Sequence, residues 1–262
     1  MRNGEKRSVR LVWYDDRSQI SFARKNVLRL LQEDQIDILL GPYSSSLTMA
    51  VVEVAEEHKK VLWNYGGSSD EIFSHGRRYL VGTASPASDY LRAFPHWLAE
   101  ECPALRRMCV LYSGGGTFGW QVARGILESV LVVTGQSVEL VPVLAHIADG
   151  VLGPSWEPCV TFPNVTGPAS DWFLDGFHRQ FGHAPHYIAA GSFATGLVLT
   201  ECVWRAASLD DEKLRSTASD LDCNTFYGRF RIDSRTGIQT GHRVLLIRWQ
   251  GGHKVVLPSR SD

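Results

Sequence analysis

Three stretches, VRLVWYDD at residues 9–16, IDILLGPYSSS at 36–46 and KVLWNYGGSSDEIF at 60–73, repeat one pattern. Each is a short apolar run that stops at small, hydroxylated or acidic residues. A fourth copy, MCVLYSGGGTFGW, follows at 108–120. Continuous apolar runs bounded by Gly, Pro and Ser predict strands buried on both faces of a parallel sheet. The segments between them predict crossover helices. In residues 18–34, for example, Phe22, Val27, Leu30 and Leu31 recur near helical period with polar residues between. The chain is therefore α/β, and its ligand edge is where the strands end, at the Ser- and Gly-rich turns.

Working outward, further helices are expected at 46–58 and 88–101, the latter capped at Ser88–Asp89, with a strand at 79–86 leading onward. A second set follows: strand 108–112, helix 119–134 and strand 137–143. This divides the chain into an N-terminal lobe, 1–105, which late crossover strands from the C-terminus could complete, and a C-terminal lobe, 106–262.

The two turns at adjacent strand ends carry the first candidate site: Tyr43, Ser44, Ser45 and Ser46 in one, Gly66, Gly67, Ser68 and Ser69 in the other. Serine hydroxyls and the free N–H groups of a helix start suit a carboxylate or an amide. The same residues also serve as helix caps and turn formers, and the sequence alone leaves both roles open. Phe118 and, more weakly, Thr83 are further candidates.

Taken together these stretches resemble the type I periplasmic binding proteins, and more narrowly the branched-chain amino acid and amide substrate-binding proteins of ABC transporters. The shared features are the Asp15–Asp16 pair, the Gly41-Pro42-x-Ser44-Ser45 turn, the small residues ending the third strand, and the Phe118–Gly119 pair. The run 155–199 and the tail 224–252 also fit. The resemblance implies two Rossmann-like lobes of parallel sheet flanked by helices, with the ligand between them. It implies that the two Ser/Gly turns hold a ligand's carboxylate and amino groups, and that the aromatic at Phe118 packs against it from the second lobe. It also implies a strand–helix unit before residue 9 and further units after Val143, so the second lobe reads as shortened.

Composition excludes several classes. The chain has 262 residues, 44% apolar and 21% charged, with net charge −1. That is ordinary for a globular protein and leaves no basic footprint for nucleic acid. No apolar run predicts a bilayer span. The N-terminus lacks the apolar core of a signal peptide, so the sequence as it stands reads as cytoplasmic, whereas the resembled family is exported. The five cysteines, Cys102, Cys109, Cys159, Cys202 and Cys223, show no pairing pattern and read as free thiols.

Enzyme signals are weak. Gly114-Gly115-Gly116-Thr117-Phe118-Gly119 matches GxGxxG after a strand, with Glu139 beyond it. It sits on the fourth strand rather than the first, so NAD binding by an oxidoreductase is only a distant alternative. His178, His183 and His186 lack metal-site spacing. The expectation the resemblance implies is a non-enzyme without cofactor or metal that binds a small polar ligand, an amino acid or amide, for an ABC permease and its ATPase if exported. The alternatives are a cytoplasmic amide sensor of the same fold and a non-functional remnant.

Overall fold

The computed structural model describes residues 8–90, 92–104, 109–110, 117–134, 139–140, 151–152, 156–250 and 253–257. Its helices are α1 (Ile20–Gln32), α2 (Ser45–Glu57), α3 (Phe94–Glu101), α4 (Thr117–Thr134), α5 (Ser170–Phe181), α6 (Tyr187–Ala206) and α7 (Asp211–Asp220). Its strands are β1 (Leu39–Leu40), β2 (Leu62–Asn64), β3 (Leu80–Gly82), β4 (Cys109–Val110), β5 (Glu139–Leu140), β6 (Val151–Leu152), β7 (Cys223–Thr225), β8 (Gly228–Phe230), β9 (Ile247–Gln250) and β10 (His253–Val256).

The first unit is a parallel sheet in the order β1-β2-β3, with Leu39 opposite Leu62 and Trp63 opposite Val81. Successive strand side chains point to opposite faces, and both faces are apolar. Leu39, Leu62 and Leu80 meet Val27 of α1 and Leu47, Val51 and Val52 of α2. Val61, Trp63, Tyr79 and Val81 face the other way, onto Val198, Cys202 and Val203 of α6 and Leu214 of α7. The result is three layers, helix–sheet–helix.

The second layer corrects the expected division. Parts of 198–232, placed by sequence with the C-terminal lobe, cover a face of the N-terminal sheet. The second unit has its own core, in which Phe94 and Leu98 of α3 meet Ile126 of α4 and Leu246. Its strands are the parallel pair β4–β5 and the antiparallel set β10-β9-β6. The chain thus enters the second unit at 83–93, returns to the first between β6 and α6, and crosses again near 241–246.

Two other expectations change. Residues 9–14 form no strand, and Val9, Leu11 and Trp13 are 93, 75 and 73% exposed. An apolar run becomes a strand only beside a partner, and among the described residues nothing pairs with it. The third helix begins at Phe94 with Pro95 in its first turn, where proline's fixed φ fits and its missing N–H costs nothing. Ser88 lies in a 3₁₀ turn and donates to Asp70 instead of capping that helix. Finally, α6 is long and apolar enough to cross a bilayer by length and composition. The structure uses it as a core helix. Its first half packs Ala190 and Ala194 against Trp156, Phe173, Phe226 and Tyr227, and its second half lies on the sheet.

Candidate functional site

The strand ends of β1 and β2 are zipped together beyond the sheet. Gly41 N donates to Trp63 O at 2.9 Å, Tyr43 and Gly66 form a parallel bridge, and Ser44 N donates to Gly66 O at 3.2 Å. Glycine is required here by contact. A Cβ on Gly66 would lie 2.7 Å from Tyr43 Cα, and one on Gly67 would lie 2.5 Å from Thr48 Oγ1. The fully buried Asn64 shapes the turn: its Oδ1 accepts from Gly66 N (3.2 Å) and Gly67 N (2.7 Å), and its Nδ2 donates to Gly67 O (2.8 Å).

The two loops are then stitched side to side. Ser45 Oγ accepts from Ser68 N at 3.2 Å and from Ser69 N at 3.0 Å, which leaves its own proton to donate. Ser44 caps α2, its side chain accepting from Leu47 N at 3.2 Å. It does so with φ +104° and ψ 149°, a region otherwise reserved for glycine. Among the described residues the N–H groups of Ser45 and Ser46 have no acceptor, as expected for a first helical turn. The α2 N-terminus therefore presents donors and a partial positive charge.

These loops open into a cleft of about 130 Å³. Tyr43, Ser44, Ser45, Gly66 and Ser68 form one wall, and Tyr65, Ala84, Tyr90, Phe118, Tyr187, Ile188 and Tyr227 complete it. Phe118, in the first turn of α4, meets the edge of Tyr90 at 5.0 Å and 88°. Tyr43 and Tyr187 approach hydroxyl to hydroxyl at 3.4 Å across the opening. Burial is the main cause pushing the phenol of Tyr65 up, partly offset by a hydrogen bond with Ser192. Burial also pushes Tyr187 up, reinforced by its bond to Tyr43. Both stay protonated at neutral pH, so the cleft is polar but uncharged there.

Not every candidate from the sequence reaches the cleft. Ser46, Gly67, Ser69 and Thr83 are not among its lining residues. Ser69 Oγ donates to Gln121 Oε1 of α4 at 3.2 Å, which ties the first unit to the second. Thr83 is buried, with its Oγ1 2.6 Å from Thr195 Oγ1 and donating to Asn64 O at 3.1 Å. Asp15 and Asp16 are turn formers, accepting from Arg17 N and Ser18 N. His178, His183 and His186 are exposed, and no group of metal-ligating side chains occurs among the described residues. Gly114, Gly115 and Gly116 lie outside the described residues. Sequence reading missed Asn64 and the tyrosines at 65, 90, 187 and 227. An Asn at a strand end before Gly-Gly was a usable signal. Nothing local marks Tyr187 or Tyr227, which arrive from more than 100 residues away.

The sequence pattern of the periplasmic binding proteins matches residues 3–150. The chain belongs to that family. Its fold is the type I periplasmic binding protein fold. A leucine binding protein from Thermotoga maritima superposes with a TM-score of 0.77 at 13% identity, over 93% of this chain and 85% of that one. An ABC transporter substrate-binding protein from Desulfitobacterium hafniense, in complex with Leu, gives 0.75 at 15% identity, over 95% and 88%. A solute binding protein of an ABC transporter from Rhodopseudomonas palustris, in complex with 3,4-dihydroxy benzoic acid, gives 0.77 at 12%, over 90% and 80%. In this periplasmic binding protein the cleft lies where open α/β sheets bind ligands, beyond the carboxyl ends of parallel strands.

Proposed function

We propose that this periplasmic binding protein captures a small polar solute in the cleft and presents it to the permease of an ABC transporter, without chemical change to the solute. The observation that carries this is the pair of zipped strand-end loops, whose donors at Ser45 and the α2 N-terminus face one small cavity. A carboxylate or amide head is the group those donors suit. The amino acid and the ring acid held by the two structural relatives are the starting candidates.

Capture works by closure. The first unit supplies the donors. Phe118 and Gln121 of α4 bring the second unit across, and the crossings at 83–93 and 241–246 are among the hinge segments. Solute contacts made to both sides shift the population toward the closed form.

The test is a thermal-shift screen of the whole chain with amino acids, amides and aromatic acids. A solute that binds only the folded form at 100 times its Kd adds about 2.7 kcal/mol. At least one solute should raise Tm by several degrees. A flat response across all three classes would overturn the proposal.

A further inference from the structure

We propose that the solute is a small aromatic carboxylate of the benzoate type rather than a zwitterionic amino acid. This rests on the reading of the cleft as a solute site and names its ligand class. Three observations carry it. The first is the wall: Tyr43, Tyr65, Tyr90, Phe118, Tyr187 and Tyr227 are six of its twelve lining residues. Aromatic rings surround a flat apolar body well, through edge-to-face and offset contacts. Phe118 and Tyr90 already show this geometry, 5.0 Å apart and perpendicular.

The second is charge. Among the described lining residues there is no Asp or Glu. An amino acid would bring an ammonium group into the cleft, and an unpaired buried cation is costly. A ring acid brings one charge only, a carboxylate. The α2 N-terminus and the Ser45 hydroxyl can donate to it.

The third is size. A cleft of about 130 Å³ is close to the ~150 Å³ cavity known to admit benzene. With its carboxylate at Ser45, the ring would lie among the tyrosines. Tyr43 and Tyr187 meet at the mouth, where their hydroxyls could bond a ring substituent.

Calorimetric titration of the whole chain with benzoate, 4-hydroxybenzoate, leucine and glycine betaine tests this. The expected result is that a benzoate binds at least tenfold tighter than leucine, and that Phe118→Leu, which keeps apolar bulk but removes the ring, weakens that benzoate about tenfold. Tighter binding of leucine, or of betaine through its quaternary ammonium among the rings, would overturn the ring-acid inference and leave the solute-binding function standing. Binding of none of the four, with no response in the thermal-shift screen, would overturn both. A Phe118→Leu variant whose benzoate affinity is unchanged would also overturn the inference, because the ring would then lie elsewhere.

Discussion

Ser44 holds the site together at a cost. Its φ of +104° with ψ 149° is strained for any residue with a Cβ, by roughly 1–3 kcal/mol. Its side chain offsets part of this by capping α2 at Leu47 N. The two effects separate by substitution. Ser44→Gly relieves the strain and gives up only a few tenths of a kcal/mol of capping, so it should raise stability by about 1 kcal/mol. Ser44→Ala keeps the strain and loses the cap, so it should lower stability by about 1 kcal/mol. Urea unfolding of both variants checks the pair, and equal effects would show that backbone strain is not what separates them. The residue scale is also where the sequence was most legible. The Tyr43-to-Ser46 and Gly66-to-Ser69 turns stand out because small and hydroxylated residues cluster at apolar run ends. What it hid was the division of labour inside them. Ser45 and Ser68 face the cleft, while Ser69 turns to Gln121.

Among elements, α7 shows how charge fastens a helix to a sheet. Asp211 in its first turn accepts from Val61 N at 2.8 Å and pairs with Lys60 at 2.8 Å, with both side chains largely covered. Beside it Glu212 pairs with Arg78 and accepts from the Tyr79 hydroxyl. Arg78 and then Tyr79 hold the Glu212 carboxyl below its ordinary value of 4.5. The unfolded chain takes up that proton at the ordinary value, and the folded chain resists until a lower pH. This contribution is therefore fully present above about pH 4.5 and is lost as pH falls through the depressed value. Glu212→Gln should flatten the acid limb of the stability-against-pH curve, measured by urea unfolding between neutral pH and pH 3. An acid limb identical to wild type would remove Glu212 from the account. The same scale explains the misread strand at 9–14. Its apolar pattern is real, but a strand needs a neighbour, and pattern alone does not show who the neighbour is. The opposite holds for β2, whose Leu62 and Trp63 were read correctly as buried on both faces because helices cover both sides.

For the whole molecule, α6 is the element on which the units depend. One end meets the aromatic cluster beside the cleft and the other closes the back of the first sheet. The sequence reading put the lobe boundary at 105, whereas α3 already packs with α4, and the return of α6 and α7 to the first sheet was not legible, because long-range packing leaves no local signature. Cys202 reports on it directly. It is fully buried in that core, and burial pushes its thiol up to about 12. Cys159 is exposed. Pulsed alkylation at pH 8 should modify Cys159 within the first pulse and Cys202 only as fast as the protein unfolds globally. Equal rates at both would mean that α6 opens locally and does not bind the two clusters together. The central claim is that solute is held at the strand-end loops, and amide hydrogen exchange with and without the best-shifting solute tests it most directly. Bound solute should slow exchange in peptides covering 43–47, 65–69 and 187–188, where the first-turn N–H groups of α2 gain an acceptor. Protection confined to other regions, or unchanged exchange at all three with the solute bound, would contradict the account.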